Sequence, residues 1–317
     1  MIERLVNLVG WLGEARIVSK RVLEIGSGGD QLARLLACQA SHVVVYEPCI
    51  HVRKEMFPED NIALVTSTYP RGDLEKVNLV ICRQVIEHLA NPIEMLTNIR
   101  QSLGTGGYAY IEVPDSGYIV GNAAVDDLSV QHVQYFSRAN MAAILGRCGL
   151  YPKRWIDIKG GHDFGVLAQA GNGDEIDLVP FKKSALSDLG NRFCNRISAA
   201  RRHVMTLPGP IAIYGATTQS QSFINFMDGA ISIAAVIDDG AEKVGWMLYD
   251  RTQRIKVEHG DNVDISSYAT IIIGAYLHET AIAARLRENG YSGTLVSIRP
   301  HPAGGDAVAS LYRPEIN

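Results

Sequence analysis

The sequence predicts an α/β protein: a mostly parallel seven-stranded sheet with helices on both faces, followed by a second, smaller α/β domain. Three observations predict it. From residue 21 onward, short apolar runs alternate with amphipathic stretches, the pattern of a buried parallel sheet covered by helices. Several runs stop at glycines or acids, as strands feeding ligand-binding turns do. After about residue 180 the alternation starts over, and 317 residues favour two domains.

Residues 1–18 are expected to form an amphipathic helix, because Leu5, Leu8, Val9 and Leu12 recur at helical spacing. RVLEIG (21–26) is the first strand, QLARLLACQA (31–40) a helix and HVVVYEP (42–48) the second strand. Cys49 to Phe57 is compatible with a helix, and NIALVTS (61–67) is the third strand. VNLVICR (77–83) is the fourth, NPIEMLTNIRQSL (91–103) a helix and GGYAYIEVP (106–114) the fifth strand. Regularity breaks from 115 to 136, in a loop carrying Asp115, Asp126, Asp127, His132 and Tyr135. SRANMAAILGRCG (137–149) reads as a helix capped by Ser137 and ended by Gly149. YPKRWIDI (151–158) and FGVLAQAG (164–171) form a hairpin about KGGHD, which places one antiparallel strand in the sheet.

GNGDEIDLVP (171–180) is polar and turn-rich. The first domain is accordingly assigned to 1–175, a linker helix to 176–207 and the second domain to 208–317. In the second domain PIAIYGA (210–216), ISIAAVIDD (231–239), ATIIIGA (269–275) and GTLVSI (293–298) are strands. TQSQSFINFM (218–227) and HETAIAARLRENG (278–290) are helices.

Composition narrows the function. With 47% hydrophobic and 20% charged residues the chain is globular. A net charge of -4 argues against a nucleic-acid partner, which needs a clustered basic field. The start lacks the features of a signal peptide, and no run approaches the about 18 apolar residues of a membrane span. The five cysteines, Cys38, Cys49, Cys82, Cys148 and Cys194, never form C-x-x-C. They read as free thiols of a cytoplasmic protein, and no metal site is expected.

The candidate ligand site lies at the carboxyl ends of the first strands. Gly26-Ser27-Gly28-Gly29 follows the first strand and a helix opens directly after it. The stretch reads G-S-G-G-D-Q, with Gln31 in the last glycine slot of a dinucleotide fingerprint. The close pyrophosphate fit is therefore missing, and a cofactor without a pyrophosphate is the natural alternative. Glu47 ends the second strand about 20 residues on, where a carboxylate can accept both ribose hydroxyls. Glu24 sits inside an apolar strand, where an acid is costly unless partnered. Glu87 and His88 open a helical stretch, where capping and chemistry are equally open.

These residues carry a family resemblance. VLEIGSGGDQLARLLA (22–37) resembles motif I of class I S-adenosylmethionine-dependent methyltransferases, and VVVYEP (43–48) resembles their following acidic motif. VNLVICRQVIEHLANPIEMLTNIRQSLGTGGYAYIEVPD (77–115) is similar to their fourth and fifth motif region. The resemblance covers about residues 20–170 and implies a Rossmann-like class I methyltransferase domain that uses S-adenosyl-L-methionine. It would put Glu24, Gly26, Ser27 and Gly28 at the methionine end of the cofactor and Glu47 with Pro48 at the ribose. Ser67 would lie at the adenine edge, with Arg83 and Gln84 near the methionine carboxylate or the reacting groups.

The loop SVQHVQYFS (129–137) resembles sugar C-methyltransferases acting on nucleotide-linked keto-deoxysugars, where the stretch is commonly Y-x-E-H-x-x-Y-F-S. The residues after about 210 resemble those enzymes' Rossmann-like carboxy-terminal domain. The resemblance implies His132 and Tyr135 as catalytic groups; His88, at its helical start, is a third catalytic candidate and Gln131 a candidate substrate contact. In the second domain Tyr214 ends a strand at a helix start, which suits an anion, and Asp238 ends the next strand, where it can hold a sugar hydroxyl; structural turn roles are equally open for both. The resemblance points to a small-molecule substrate, a nucleotide-linked sugar or glycan precursor. Two positions depart from the pattern: Ser129 stands for the tyrosine and Gln131 for the glutamate. Gln131 cannot take up a proton, and the family's cysteine-rich zinc module has no counterpart in the sequence. An oxygen or nitrogen acceptor on a sugar or another metabolite thus stays open, as does a non-catalytic nucleotide-binding module. The sequence sets no oligomeric state.

Overall fold

The computed structural model describes residues 2–70, 76–171 and 183–299. The chain divides into two compact units. One gathers Met1–Gly117 with Gln131–Pro180, and the other Tyr118–Val130 with Phe181–Asn317.

In the first unit α1 (Ile2–Leu12) buries Leu5, Leu8 and Leu12, the stripe its spacing implies. The helix ends earlier than expected because Gly13 takes φ 87 and a short 3-10 turn, Glu14–Arg16, follows. The order is then β1 (Arg21–Ile25), α2 (Gln31–Ala37), β2 (His42–Tyr46), β3 (Ile62–Val65) and β4 (Val77–Arg83). It continues with α3 (Pro92–Ser102), β5 (Leu103–Pro114), α4 (Ser116–Asn122), α5 (Arg138–Arg147), β6 (Leu150–Ile158) and β7 (Asp163–Ala170). The helix expected over 49–57 is only a 3-10 turn at Lys54–Met56.

The seven strands run in the order β3-β2-β1-β4-β5-β7-β6. β1 to β5 pair in parallel, while β7 is antiparallel to both β5 and β6. The terminal hairpin thus contributes the single antiparallel strand anticipated from the KGGHD turn. Val22 packs in one apolar cluster with Leu36 and Ile81, and Leu23 and Ile25 pack in another with Leu96 and Met141. Both faces of β1 are therefore covered, which explains why its sequence reads as a continuous apolar run. Strand order reverses between β1 and β4, so the carboxyl ends of β1, β2 and β4 border the crevice where open α/β sheets place ligands.

In the second unit the described elements are α6 (Lys183–Val204), β8 (Ile211–Tyr214), α7 (Thr218–Met227), β9 (Ile233–Asp238), β10 (Met247–Tyr249), β11 (Arg254–His259), β12 (Thr270–Ile273), α8 (Glu279–Glu288) and β13 (Thr294–Ser297). They build a six-stranded sheet, β10-β11-β9-β8-β12-β13. The four expected strands are present. β10 and β11 are additions: they form an antiparallel pair, and β11 extends the parallel ladder at β9.

Two arrangements differ from the sequence-based layout. The helix expected as a linker buries Ala200 and Val204 in the same cluster as Phe223 and Ile224, so its described part is a packed element of the second unit. Its expected start, 176–182, lies outside the described residues. Residues 118–130 also group with the second unit, although the sequence reading ran the first domain unbroken to 175. Arg192 donates to the carbonyls of Val120 (2.8 Å) and Gly121 (2.9 Å), and Arg196 donates to Asn122. These guanidinium groups satisfy the last carbonyls of α4. Asp127 accepts the Tyr276 hydroxyl at 2.9 Å, and Val125 joins the apolar cluster of the unit. Among the described residues no helix is long and apolar enough to cross a membrane.

Candidate active site

The glycine turn after β1 is built by backbone geometry. Gly26 has φ 70, and a Cβ on it would lie 2.3 Å from Cγ2 of Val85, so glycine is required there. Its N–H donates to the carbonyl of Tyr46 at 2.9 Å. Gly28, at φ 61, donates its N–H to Oε2 of Glu47 at 2.8 Å, and Cys49 donates to Oε1 at 2.9 Å. The buried Glu47 therefore ties the end of β2 to the turn after β1, with Pro48 between it and Cys49. An ionised carboxylate has about four lone-pair sites, so each oxygen keeps capacity for a further donor.

Beside this turn lie polar atoms that the fold does not satisfy. Oε2 of Glu24 and Oγ of Ser27 are buried and have no hydrogen-bond partner among the described residues. Burial pushes the Glu24 carboxyl up to about 7; Arg83 opposes the rise and Glu47 adds to it. A buried carboxyl with one unsatisfied oxygen beside the glycine turn offers an acceptor to a ligand with a cationic or N–H donor group. Space beyond Gly28 and Gly29 is open, with nothing within 4 Å of a Cβ built on either. Ser67 follows β3 and donates its N–H to Val65.

Arg83 and Gln84, at the end of β4, are engaged by acids that sequence reasoning did not single out. Arg83 Nε and Arg4 Nη2 each lie 3.2 Å from Glu112, and the Tyr110 hydroxyl donates to the same carboxylate at 2.9 Å. Burial and the Glu112 carboxylate raise the Tyr110 hydroxyl well above its ordinary range. Gln84 sits in the left-handed region, at φ 53, and donates Nε2 to Asp163 at 3.1 Å. A non-glycine residue held there is a form of strain common at functional sites. Asp163 is fully buried with Lys159 at 2.7 Å and His162 at 2.5 Å. Burial alone would raise its carboxyl, but these two partners draw it down to about 2. The signal that could have found Glu112 is the one that found Glu24: an acid inside an apolar strand, here YIEVP.

His88, Gln131, His132 and Tyr135 come together just past β4. Glu87 and His88 lie on a 3-10 turn, Ile86–His88, rather than opening a longer helix. The Glu87 carbonyl accepts the N–H groups of Val133 (2.9 Å) and Gln134 (3.0 Å), and His88 Nδ1 lies 2.9 Å from the Gln131 carbonyl. These bonds set the His132 ring edge-on to His88 at 4.9 Å and to Tyr135 at 6.3 Å between centroids. Burial pushes the Glu87 carboxyl up to about 7, and Asp163 and Glu112 add to the rise.

The second unit holds Tyr214 and Asp238. Tyr214 Oη donates to Asp239 at 2.6 Å and accepts from Arg285 at 2.9 Å. Asp238 Oδ2 accepts the Ala216 N–H (2.7 Å) and Lys243 Nζ (2.9 Å), and Oδ1 accepts the Gly240 N–H (2.8 Å). Their polar atoms thus serve the unit's own turns. Asp238 and Ala216 repeat the device of Glu47 and Gly28: an acid ending the neighbouring strand holds the turn after the first.

Residues 2–153 match the family model described as a methyltransferase domain. These residues form an S-adenosylmethionine-dependent methyltransferase domain. Its cofactor is S-adenosyl-L-methionine, and unsatisfied Glu24 and Ser27 beside open glycines fit such a group. Among solved structures, the methyltransferase chain is similar to one from the Haloferax volcanii complex of the Trm112 methyltransferase activator with a methyltransferase. That match has a TM-score of 0.45 and 13% identity, and covers 51% of this chain and 89% of the other. It is similar to an S-adenosylmethionine-dependent methyltransferase from Mesorhizobium loti, with TM-score 0.44, 12% identity and 52% and 99% covered. It is also similar to the N-methyltransferase NodS of Bradyrhizobium japonicum, in complex with S-adenosyl-L-homocysteine, with TM-score 0.43, 14% identity and 53% and 86% covered. No curated protein matches by sequence.

Proposed function

We propose that the methyltransferase acts on a small molecule, a nucleotide-linked sugar or related glycan precursor, and that the crevice at β1, β2 and β4 is its cofactor site. The observation that carries the site is the Glu47 carboxylate holding Gly28 next to the unsatisfied Glu24. In this reading Glu24, Gly26, Ser27 and Gly28 receive the methionine end, and Glu47 and Pro48 face the ribose hydroxyls. Ser67 borders the adenine. Arg83 and Gln84 close the methionine end, each steadied by a buried acid. The bound sulfonium supplies an electrophilic methyl group for in-line displacement. What the protein adds is alignment of the acceptor and exclusion of water.

His88, His132 and Tyr135 form the acceptor side, with Gln131 as a substrate contact. The sugar assignment rests on the resemblance of 129–137 and of the residues after about 210, which we read as a Rossmann-like domain. Ser129 and Gln131 remove the tyrosine and the carboxylate of the carbon-methylating pattern, which favours an oxygen or nitrogen acceptor. The test is incubation with S-adenosylmethionine and a panel of nucleotide sugars, followed by mass spectrometry. A gain of one methylene unit on a nucleotide sugar supports the assignment. Methylation confined to unrelated metabolites refutes it.

A further inference from the structure

Glu87, His88 and His132 present one ligand atom each, all within 4.8 Å of one another. We propose that these three residues form a divalent transition-metal site, of the two-histidine, one-carboxylate kind that leaves coordination positions open to substrate.

Several independent features support it. Glu87 is 1% exposed, and among the described residues neither of its carboxylate oxygens has a hydrogen-bond partner. A buried carboxylate left without a donor is expensive unless something cationic satisfies it. His88 is exposed and orients for ligation: a carbonyl can only accept, so Nδ1, 2.9 Å from the Gln131 carbonyl, carries the proton. Nε2 then keeps its lone pair, the arrangement that backbone carbonyls impose on metal-binding imidazoles. The two N–H bonds from Val133 and Gln134 to the Glu87 carbonyl bring His132 opposite the pair. The cluster is thus built by main-chain bonds and not by chance proximity of surface side chains.

Ligand type selects the ion. Two imidazoles and a carboxylate suit zinc, iron, cobalt or manganese, whereas magnesium and calcium prefer all-oxygen sets. Ligand atoms around a tetrahedral zinc lie about 3.3 Å apart for bonds of about 2.0–2.1 Å, so an ion would draw the three together from within the 4.8 Å limit, with His88 still held by the Gln131 carbonyl. No short ligand motif marks this site, because His132 lies far along the chain from His88.

The inference uses the acceptor side of the proposed function and assigns His88 and His132 as ligands in place of free bases. It also names the acceptor class, a hydroxyl, which an ion at the open positions would bind and acidify. The balance is simple: the hydroxyl proton leaves to water, the O–C bond forms as the C–S bond breaks, and the sulfonium becomes a neutral thioether.

The test uses tag-free full-length protein stripped with chelator, titrated with zinc by calorimetry and with cobalt by visible absorption. The wild type is expected to bind one ion per chain, with cobalt giving the ligand-field bands of a nitrogen–oxygen site. His88→Ala and His132→Ala should each weaken binding by about 100-fold, the upper end of what even an outer-shell change costs. S-adenosylhomocysteine affinity, measured on the same samples without metal, shows whether each variant is folded. Absence of stoichiometric binding, or binding undiminished in both folded variants, overturns the site. If the homocysteine product binds and metal does not, the metal inference fails and the cofactor reading stands; the reverse result fails the cofactor reading alone.

Discussion

The N–H of Gly28 donates to Oε2 of Glu47 at 2.8 Å, so the acid ending the second strand holds the glycine turn after the first. Glu47 also accepts Cys49 N–H through its other oxygen. Replacing it with alanine removes both bonds, and hydrogen bonds to a charged group contribute about 1.5–3 kcal/mol. Glu47→Ala is therefore expected to weaken S-adenosylhomocysteine binding by about 10–100-fold, read by calorimetry. Unchanged affinity would take Glu47 out of the site.

Gly26 fits no side chain. A Cβ there meets Val85 at 2.3 Å, and φ is 70. Gly26→Ala should lower stability by about 1–3 kcal/mol from overpacking, with about 1–2 kcal/mol more from the left-handed backbone. Adding Val85→Ala relieves the contact and leaves the backbone cost, so the double variant should recover part of the loss in a denaturant melt. A single variant as stable as the wild type would contradict the turn geometry.

Glu24 makes a pH prediction. Its folded carboxyl stands at about 7 against an ordinary 4.5, mainly through burial. Because the folded state binds the proton more tightly, its contribution to stability is complete below pH 4.5 and lost as pH rises through 7. Glu24→Gln should flatten that decline in melting temperature. An identical pH profile for the variant would place the titration elsewhere.

Asp126 makes a parallel prediction in the second unit. It is fully buried, its oxygens have no hydrogen-bond partner among the described residues, and burial with neighbouring Asp127 raises it to about 8 against Arg196. The same sign applies: stability is lost as pH rises from 3.8 through 8. Near pH 8, Asp126→Asn should stabilise the second unit's unfolding transition by about 1–3 kcal/mol, the usual cost of an unsatisfied buried group. Destabilisation by the variant would mean that the carboxylate is stably paired.

Much of this was legible from residue patterns, because parallel strands buried on both faces leave continuous apolar runs such as VLEIG and VNLVICR. The strands β10 and β11 were not. Of their residues only Leu248, Ile255 and Val257 are buried, so they lack the apolar run. Residues 118–122 gave no helical signal of their own; the carbonyls at the end of α4 are satisfied by Arg192 and Arg196 from α6. Glu47 could be singled out by its position at a strand end, and Glu24 as an acid inside an apolar strand. Glu112 carries the same signal in YIEVP, but its partnership with Arg83, and that of Asp163 with Gln84, is set by tertiary contacts that no local spacing encodes.

The most direct measurement is calorimetric titration of the intact chain with S-adenosylhomocysteine. The expected result is one site per chain of micromolar strength or tighter, about 8 kcal/mol or more of binding free energy. No binding at millimolar ligand would contradict the cofactor crevice at β1, β2 and β4.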